Sequence, residues 1–269
     1  MSNKKLILAG CSYTIDTWFG GAPFEIPYTF GGFLHHNHNL NVEHIAVSGN
    51  SNDASIRQVY DFVKNNNIKD STVVFQTTHL HRIGGHFNFT DDWINLQPRV
   101  LESKTSNKLE NESFTLDNFN TYEVGDDEIY GTQLNLKNLD KYKNLSDDYF
   151  WKSGDSSLKK KVIEYYQLWL QFKYDDFIEF KELMFKLDLL KGYLSQFNNQ
   201  MVLIYWPDIY PKYIPYLEER NFFNINREYS MMRWSKINNV IGDDTHLKLE
   251  GHKLLSKELY EHLILNKNV

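Results

Sequence analysis

Short apolar runs punctuated by turn-forming residues recur along the chain, with amphipathic stretches between them. The runs Lys5–Ala9, Val42–Val47, Thr72–Gln76 and Met201–Tyr205 each give way to small or polar residues: Gly10-Cys11-Ser12, Ser48-Gly49-Asn50, Thr77-Thr78-His79 and Trp206-Pro207-Asp208. Near-continuous apolar runs of strand length mark strands buried on both faces, the condition of a parallel sheet covered by helices. Asp53–Asn66 carries Ile56, Val59, Tyr60 and Val63 on one helical face, with Asn52 or Asp53 placed to cap it. Lys248–Leu265 carries Leu254, Leu255, Leu259 and Leu263 in the same way. The pattern predicts an α/β fold with a mainly parallel central sheet. In open sheets of that kind ligands bind beyond the carboxyl ends of the strands, so the polar clusters are expected to line one crevice.

The stretch from Gly84 to Asp155 follows another pattern. It is rich in Asn, Asp and isolated aromatics, lacks a sustained period, and is far longer than an ordinary connection. Leu158–Phe197 turns helical and strongly aromatic, with Tyr165, Tyr166, Trp169, Phe172 and Phe177. Aromatics at helical spacing read as core or as an oligomer contact before they read as a ligand box. The expectation is one domain over residues 1–269 with a large insertion or lid at about 84–197, placed after the third strand. Gly20-Gly21 and Gly31-Gly32 lack the Lys-Ser/Thr of a phosphate loop and the spacing of a dinucleotide fingerprint, and read as loop flexibility.

Composition narrows the function classes. A chain of 269 residues with 41% hydrophobic, 15% aromatic and 24% charged residues can build and solvate a core. Its net charge of −6, with both signs interspersed, creates no field that would draw a phosphate backbone, so nucleic acid is not expected as a partner. Lys159-Lys160-Lys161, beside Glu164, reads as a solvated helix face. The lone Cys11 excludes an intrachain disulfide framework and a cysteine zinc cluster. Lys4-Lys5 followed by Leu8-Ala9-Gly10-Cys11 imitates a lipoprotein cleavage site, but Leu6–Ala9 is shorter than the ~7–15 residues of a signal core. The segment reads as a strand of a cytoplasmic protein. No run approaches the ~18 apolar residues of a membrane span, so no membrane association is expected.

The candidate chemistry lies at the two ends of the chain. Gly10-Cys11-Ser12-Tyr13-Thr14 follows the first strand directly, where a serine can project its hydroxyl into the crevice while its own N–H points at the same spot. Gly242-Asp243-Asp244-Thr245-His246-Leu247 immediately precedes the last helix. An aspartate three residues ahead of a histidine in a loop can accept the Nδ1 proton and leave Nε2 free to take one from a serine. Either segment alone also reads as a simple turn.

Together they resemble the SGNH (GDSL-like) hydrolase superfamily, whose first block is Gly-Asp-Ser and whose last is Asp-X-X-His before the final helix. Ser48-Gly49-Asn50-Ser51-Asn52 is similar to the second block, and Cys11 replaces the acidic residue of the first. The third block, Gly-X-Asn-Asp, is replaced by Gln76-Thr77-Thr78-His79-Leu80-His81-Arg82, so its oxyanion-binding asparagine is absent. The resemblance implies a three-layer α/β/α sandwich of the SGNH/flavodoxin-like kind and a catalytic triad of Ser12, His246 and Asp243. Its oxyanion hole would be formed by the N–H groups of Ser12 and Gly49, with Asn50, Thr77, Thr78 or His79 standing in for the missing donor. Tyr13, Asn52, His81 and Arg82 are the residues expected beside the substrate.

The implied reaction is two-step acyl transfer from a small ester, with no cofactor and no metal. Trp93, Tyr122, Tyr130, Tyr149, Phe150 and Trp151 offer stacking faces that suit a carbohydrate O-acetyl ester. Other readings stay open at this level: a thiol nucleophile at Cys11, a metal edge at His79-X-His81, an O-acyltransferase using the same triad, or a binding or structural protein that keeps the fold without the chemistry. Oligomeric state is not legible.

Overall fold

The structure, a computed structural model, describes residues 4–11, 14, 29–46, 50–80, 83–87, 92–98, 129–130, 168–169, 173, 175–207, 209–220, 229–242 and 246–265, with the backbone alone for 83–87, 92–98 and 129–130. The described chain falls into two compact units. One comprises Met1–Ser48, Ser55–His79 and Met184–Val269; the other comprises Gly49–Ala54 and Leu80–Leu183.

The first unit is built on four strands, β1 (Lys5–Ala9), β2 (Asn41–His44), β3 (Thr72–Gln76) and β7 (Gln200–Ile204), all parallel and ordered β2-β1-β3-β7. β1 and β3 coincide with the predicted apolar runs, and β7 begins one residue earlier. β2 lies at the sheet edge and is displaced toward the amino terminus, with only Val42 of its residues buried. An edge strand tolerates polar residues such as Asn41 and Glu43, so the apolar Ile45 and Ala46 drew the prediction past its end. Ile45 still donates its N–H to Leu8 O at 2.9 Å.

Side chains on both faces of the sheet are buried. On one, Leu6, Leu8, Val42, Val74, Val202 and Ile204 form a single apolar cluster with residues of α1 (Phe30–His38), α5 (Met231–Ile237) and α6 (Leu249–Leu265). On the other, Ile7, Val73 and Phe75 are fully buried as well. Burying such side chains contributes roughly 1.5–3 kcal/mol each.

The helix α1 corrects the reading of Gly31-Gly32 as loop flexibility. Thr29 caps it, its Oγ1 accepting from Gly32 N–H at 3.1 Å, and Asn39 ends it in the left-handed conformation. Both glycines are buried. A Cβ on Gly31 would stand 2.4 Å from His44 Nε2 and from Leu8 Cδ1, so the glycine is there to let the helix approach the sheet. At the other end of the chain α6 follows its predicted span, burying Leu255, Leu259 and Leu263, with Leu254 partly buried against the same cluster.

Two helices span residues of both units. α2 (Asn52–Asn65) is capped by Ser51, whose Oγ accepts from Ala54 N–H at 3.2 Å, one residue before the caps the sequence suggested. α3 (Asp176–Ser195) is capped by Asp175, whose Oδ1 accepts from Phe177 and Ile178 N–H at 2.9 Å each. Its inward face is Phe180, Leu183, Met184, Leu187, Leu190 and Leu194. A short 3₁₀ turn, Pro211–Tyr213, leads into α4 (Ile214–Glu218).

The second unit contains an antiparallel sheet of β4 (Ile83–Phe87), β5 (Asp92–Pro98) and β6 (Ile129–Tyr130). These strands lie where no sustained period was read. In β5 the alternation of Ile94 and Leu96 with Trp93, Asn95 and Gln97 is only a few residues long, and in β4 Gly84-Gly85 erases it. Trp169 is buried. Tyr122, Tyr149, Phe150, Trp151, Lys159–Lys161, Tyr165, Tyr166, Phe172 and Gly20-Gly21 lie outside the described residues, as do the side chains of Trp93 and Tyr130. Among the described residues no helix is long and apolar enough to cross a membrane.

Candidate functional site

Because the four strands are parallel and in register, Gly10-Cys11, Thr77-Thr78-His79 and Tyr205-Trp206 emerge at one edge of the sheet. In this strand order the chain runs from β1 to β2 on one side and returns to β3 on the other, so the topological switch lies between β1 and β3.

At the end of β1 the backbone turns through Gly10 with φ +148°, a conformation open to glycine and strained for other residues. A Cβ there would lie 2.5 Å from Thr14 Oγ1 and 2.8 Å from Gln76 O. Thr14 donates its N–H to Cys11 O at 2.9 Å and its hydroxyl to Gln76 Oε1, which fastens the turn to β3. Ser55 Oγ of α2 donates to Gly10 O at 3.3 Å. The two residues between Cys11 and Thr14 in sequence, Ser12 and Tyr13, lie outside the described residues.

Cys11 is fully buried and belongs to the apolar cluster with Phe30, Trp206 and Met231. Its side chain packs in the core, where an unpaired carboxylate would be costly among those neighbours.

Thr77 links β3 to β7, donating its N–H to Ile204 O at 2.9 Å and accepting Trp206 N–H on Oγ1 at 3.0 Å. It is fully buried, Thr78 is 1% exposed, and His79 is half-buried. Tyr205 and Trp206 in turn hold α5, their carbonyls accepting from Met231 and Met232 N–H at 2.9 and 3.0 Å. Asn50 and Asn52 are buried beside the Ser51 cap in the second unit. Gly49, His81 and Arg82 lie outside the described residues.

His246 stands at the base of a loop. Ile241 bridges Leu247, Gly242 N–H donates to His246 O at 2.7 Å, and Lys248 N–H donates to Val240 O at 2.8 Å, so the base of the loop is closed directly before α6. His246 is half-buried, and Asp243 lies outside the described residues. Gly251 in the first turn of α6 is pressed on the same base: a Cβ there would meet Val240 O at 2.9 Å.

Sequence reasoning assigned no role to His252. It is buried, and its Nδ1 accepts the N–H of Phe30 at 3.2 Å, a bond across 222 positions of sequence. Burial, with the His246 charge as a smaller cause, pushes its pKa down to about 4. Burial likewise lowers His44, beside Gly31, to about 4. No short-range signal marks His252, since its partner Phe30 is distant in sequence.

Among the described residues no cluster of three His, Cys, Asp or Glu side chains is placed to hold a metal ion. A cavity of about 380 Å³ opens among residues at the opposite, amino-terminal ends of β1 and β2 and before β3, lined by Lys4, Lys5, Asn41, Lys69, Asp70 and others. It contains none of the predicted site residues. The sequence matches no family model, and no curated protein is significantly similar to it.

Proposed function

We propose that the chain is a serine ester hydrolase of the SGNH type, a three-layer α/β/α sandwich with an insertion after the third strand, acting on a small acyl ester. The observation that carries the reading is the junction of β1 with the turn after it. The strand order makes the β1/β3 boundary the place where such sheets bind ligands, and β1 leads through a glycine-only backbone position straight into Cys11-Ser12. The closed loop bearing His246 supports the same reading, since it stands where the family's last block stands, directly before the final helix.

In the proposed mechanism His246 takes the Ser12 hydroxyl proton and Ser12 Oγ bonds to the ester carbonyl carbon, whose oxygen becomes an oxyanion received by backbone N–H groups, that of Ser12 first. Asp243 holds the imidazolium. Collapse expels the alcohol, which His246 protonates. Water then attacks the acyl-enzyme with His246 as base, releasing the acid and restoring Ser12. Carbohydrate O-acetyl esters are the proposed substrate class, on the strength of the aromatic residues in the sequence between β3 and α3.

A non-catalytic reading draws on one observation: the third-block asparagine is missing, and the hydroxyl of Thr77 at the same strand end is engaged with Trp206 N–H. Loss of one oxyanion donor typically costs ~10²–10³ in turnover. Treatment with a fluorophosphonate probe, with the adduct located by mass spectrometry and p-nitrophenyl acetate hydrolysis followed in parallel, separates the two. The expected result is label on Ser12 and turnover, both lost in Ser12→Ala and His246→Ala. A folded wild-type protein that takes no label and shows no turnover would make it a binding protein on this fold.

A further inference from the structure

The first-turn N–H groups of a helix have no partner within it, and a side chain or water must satisfy them. In α1, Thr29 takes that of Gly32, while that of Phe30 is taken by the imidazole of His252, from the first turn of α6. A backbone N–H can only donate, so Nδ1 of His252 is unprotonated and its proton sits on Nε2. The two rings lie nearly parallel, 17° apart, with centroids at 6.3 Å. Directly before His252, Gly251 lets the same turn of α6 rest on Val240, which closes the base of the His246 loop. His252 therefore sits at a junction where the start of α1, the first turn of α6 and the base of that loop meet.

We propose that His252 is a positioning residue for His246: by accepting the Phe30 N–H it fixes the first turn of α6 against α1, and so holds the loop that carries the general base. The proposal rests on the hydrolase reading above. The neutral state it needs is supported on every side the structure describes. Burial disfavours the cation, the partial positive charge of the α1 amino terminus repels it, and the His246 charge acts in the same sense. The first turn of α1 carries no charged side chain, and Glu250 and Lys253, the neighbours on α6, are exposed.

The test combines NMR on the wild-type protein with two variants. His252→Phe keeps a ring and removes the acceptor; His252→Asn puts an oxygen near the place of Nδ1. In the wild type the His252 nitrogen resonances should report the Nε2–H tautomer, and the Phe30 amide should be protected from exchange until the pH falls to about 4. In His252→Phe the Phe30 protection should vanish, the His246 ring resonances should move, and the rate of fluorophosphonate labelling at Ser12 should fall about 10-fold or more, as a small misplacement of a catalytic group does. His252→Asn should recover most of the protection and most of the rate. A protonated Nδ1, an unprotected Phe30 amide, or unchanged labelling in His252→Phe would overturn the role while leaving the hydrolase reading standing. Absence of label in the wild type would overturn the hydrolase reading and this proposal with it.

Discussion

Gly10 shows how much one residue decides. Its φ of +148° and the atoms of Thr14 and Gln76 crowding the place of a Cβ mean that Gly10→Ala adds both backbone strain and a clash. Urea unfolding should show a loss of about 3 kcal/mol, the upper range for a strained backbone position; a loss below 1 kcal/mol would mean that the turn relaxes freely. Cys11 and His252 mark the limit of legibility at this scale. The turn at Gly10-Cys11 was legible because strand and glycine adjoin in sequence. That Cys11 joins the core cluster containing Trp206, and that His252 meets Phe30, depends on contacts between distant segments, which no local pattern encodes.

Elements were legible where burial is continuous. β1, β3 and α6 are buried along most of one face or both, so their apolar spacing is regular. α1 was missed because Gly31-Gly32 lowers helix propensity, and the packing against His44 and Leu8 that compensates for it is tertiary. α5 is only seven residues long, held by Ser230 and by the carbonyls of Tyr205 and Trp206. The connection after α3 depends on one side chain. Asn199, 4% exposed, accepts Ser71 N–H on Oδ1 at 2.9 Å and donates Nδ2 to Ile68 O at 2.9 Å, joining the segments that lead into β7 and β3. Asn199→Ala leaves both backbone groups without that partner and should cost ~2–3 kcal/mol in denaturant unfolding. Asn199→Asp keeps the acceptor and should fall between the two.

At the scale of the molecule, the buried histidines give stability a defined dependence on pH. His44 and His252 titrate in the fold at about 4 and near 6.5 when unfolded. The unfolded chain therefore binds more protons between those values. The stabilisation is fully present above pH 6.5, is lost progressively as pH falls toward 4, and stops changing below that as the folded forms protonate too. Each group contributes at most ~3 kcal/mol of that loss. Unfolding free energies measured from pH 7.5 to 4 should drop steeply, and the drop should shrink in His252→Asn; a flat profile would show that neither imidazole is held neutral.

The position of β7 beside β3 also governs how the chain can assemble as it is made. β1, β2 and β3 all leave the ribosome before the partner that covers the outer edge of β3, which begins only at Gln200, long after β3 ends at Gln76. Until then β3, buried along its whole length in the finished fold, presents open backbone donors and acceptors to any neighbouring chain. Pairings of such high sequence separation form slowly. Synthesis that stalls between β3 and β7 leaves a three-stranded sheet with its central strand satisfied and its most buried edge bare, a species prone to associate with copies of itself.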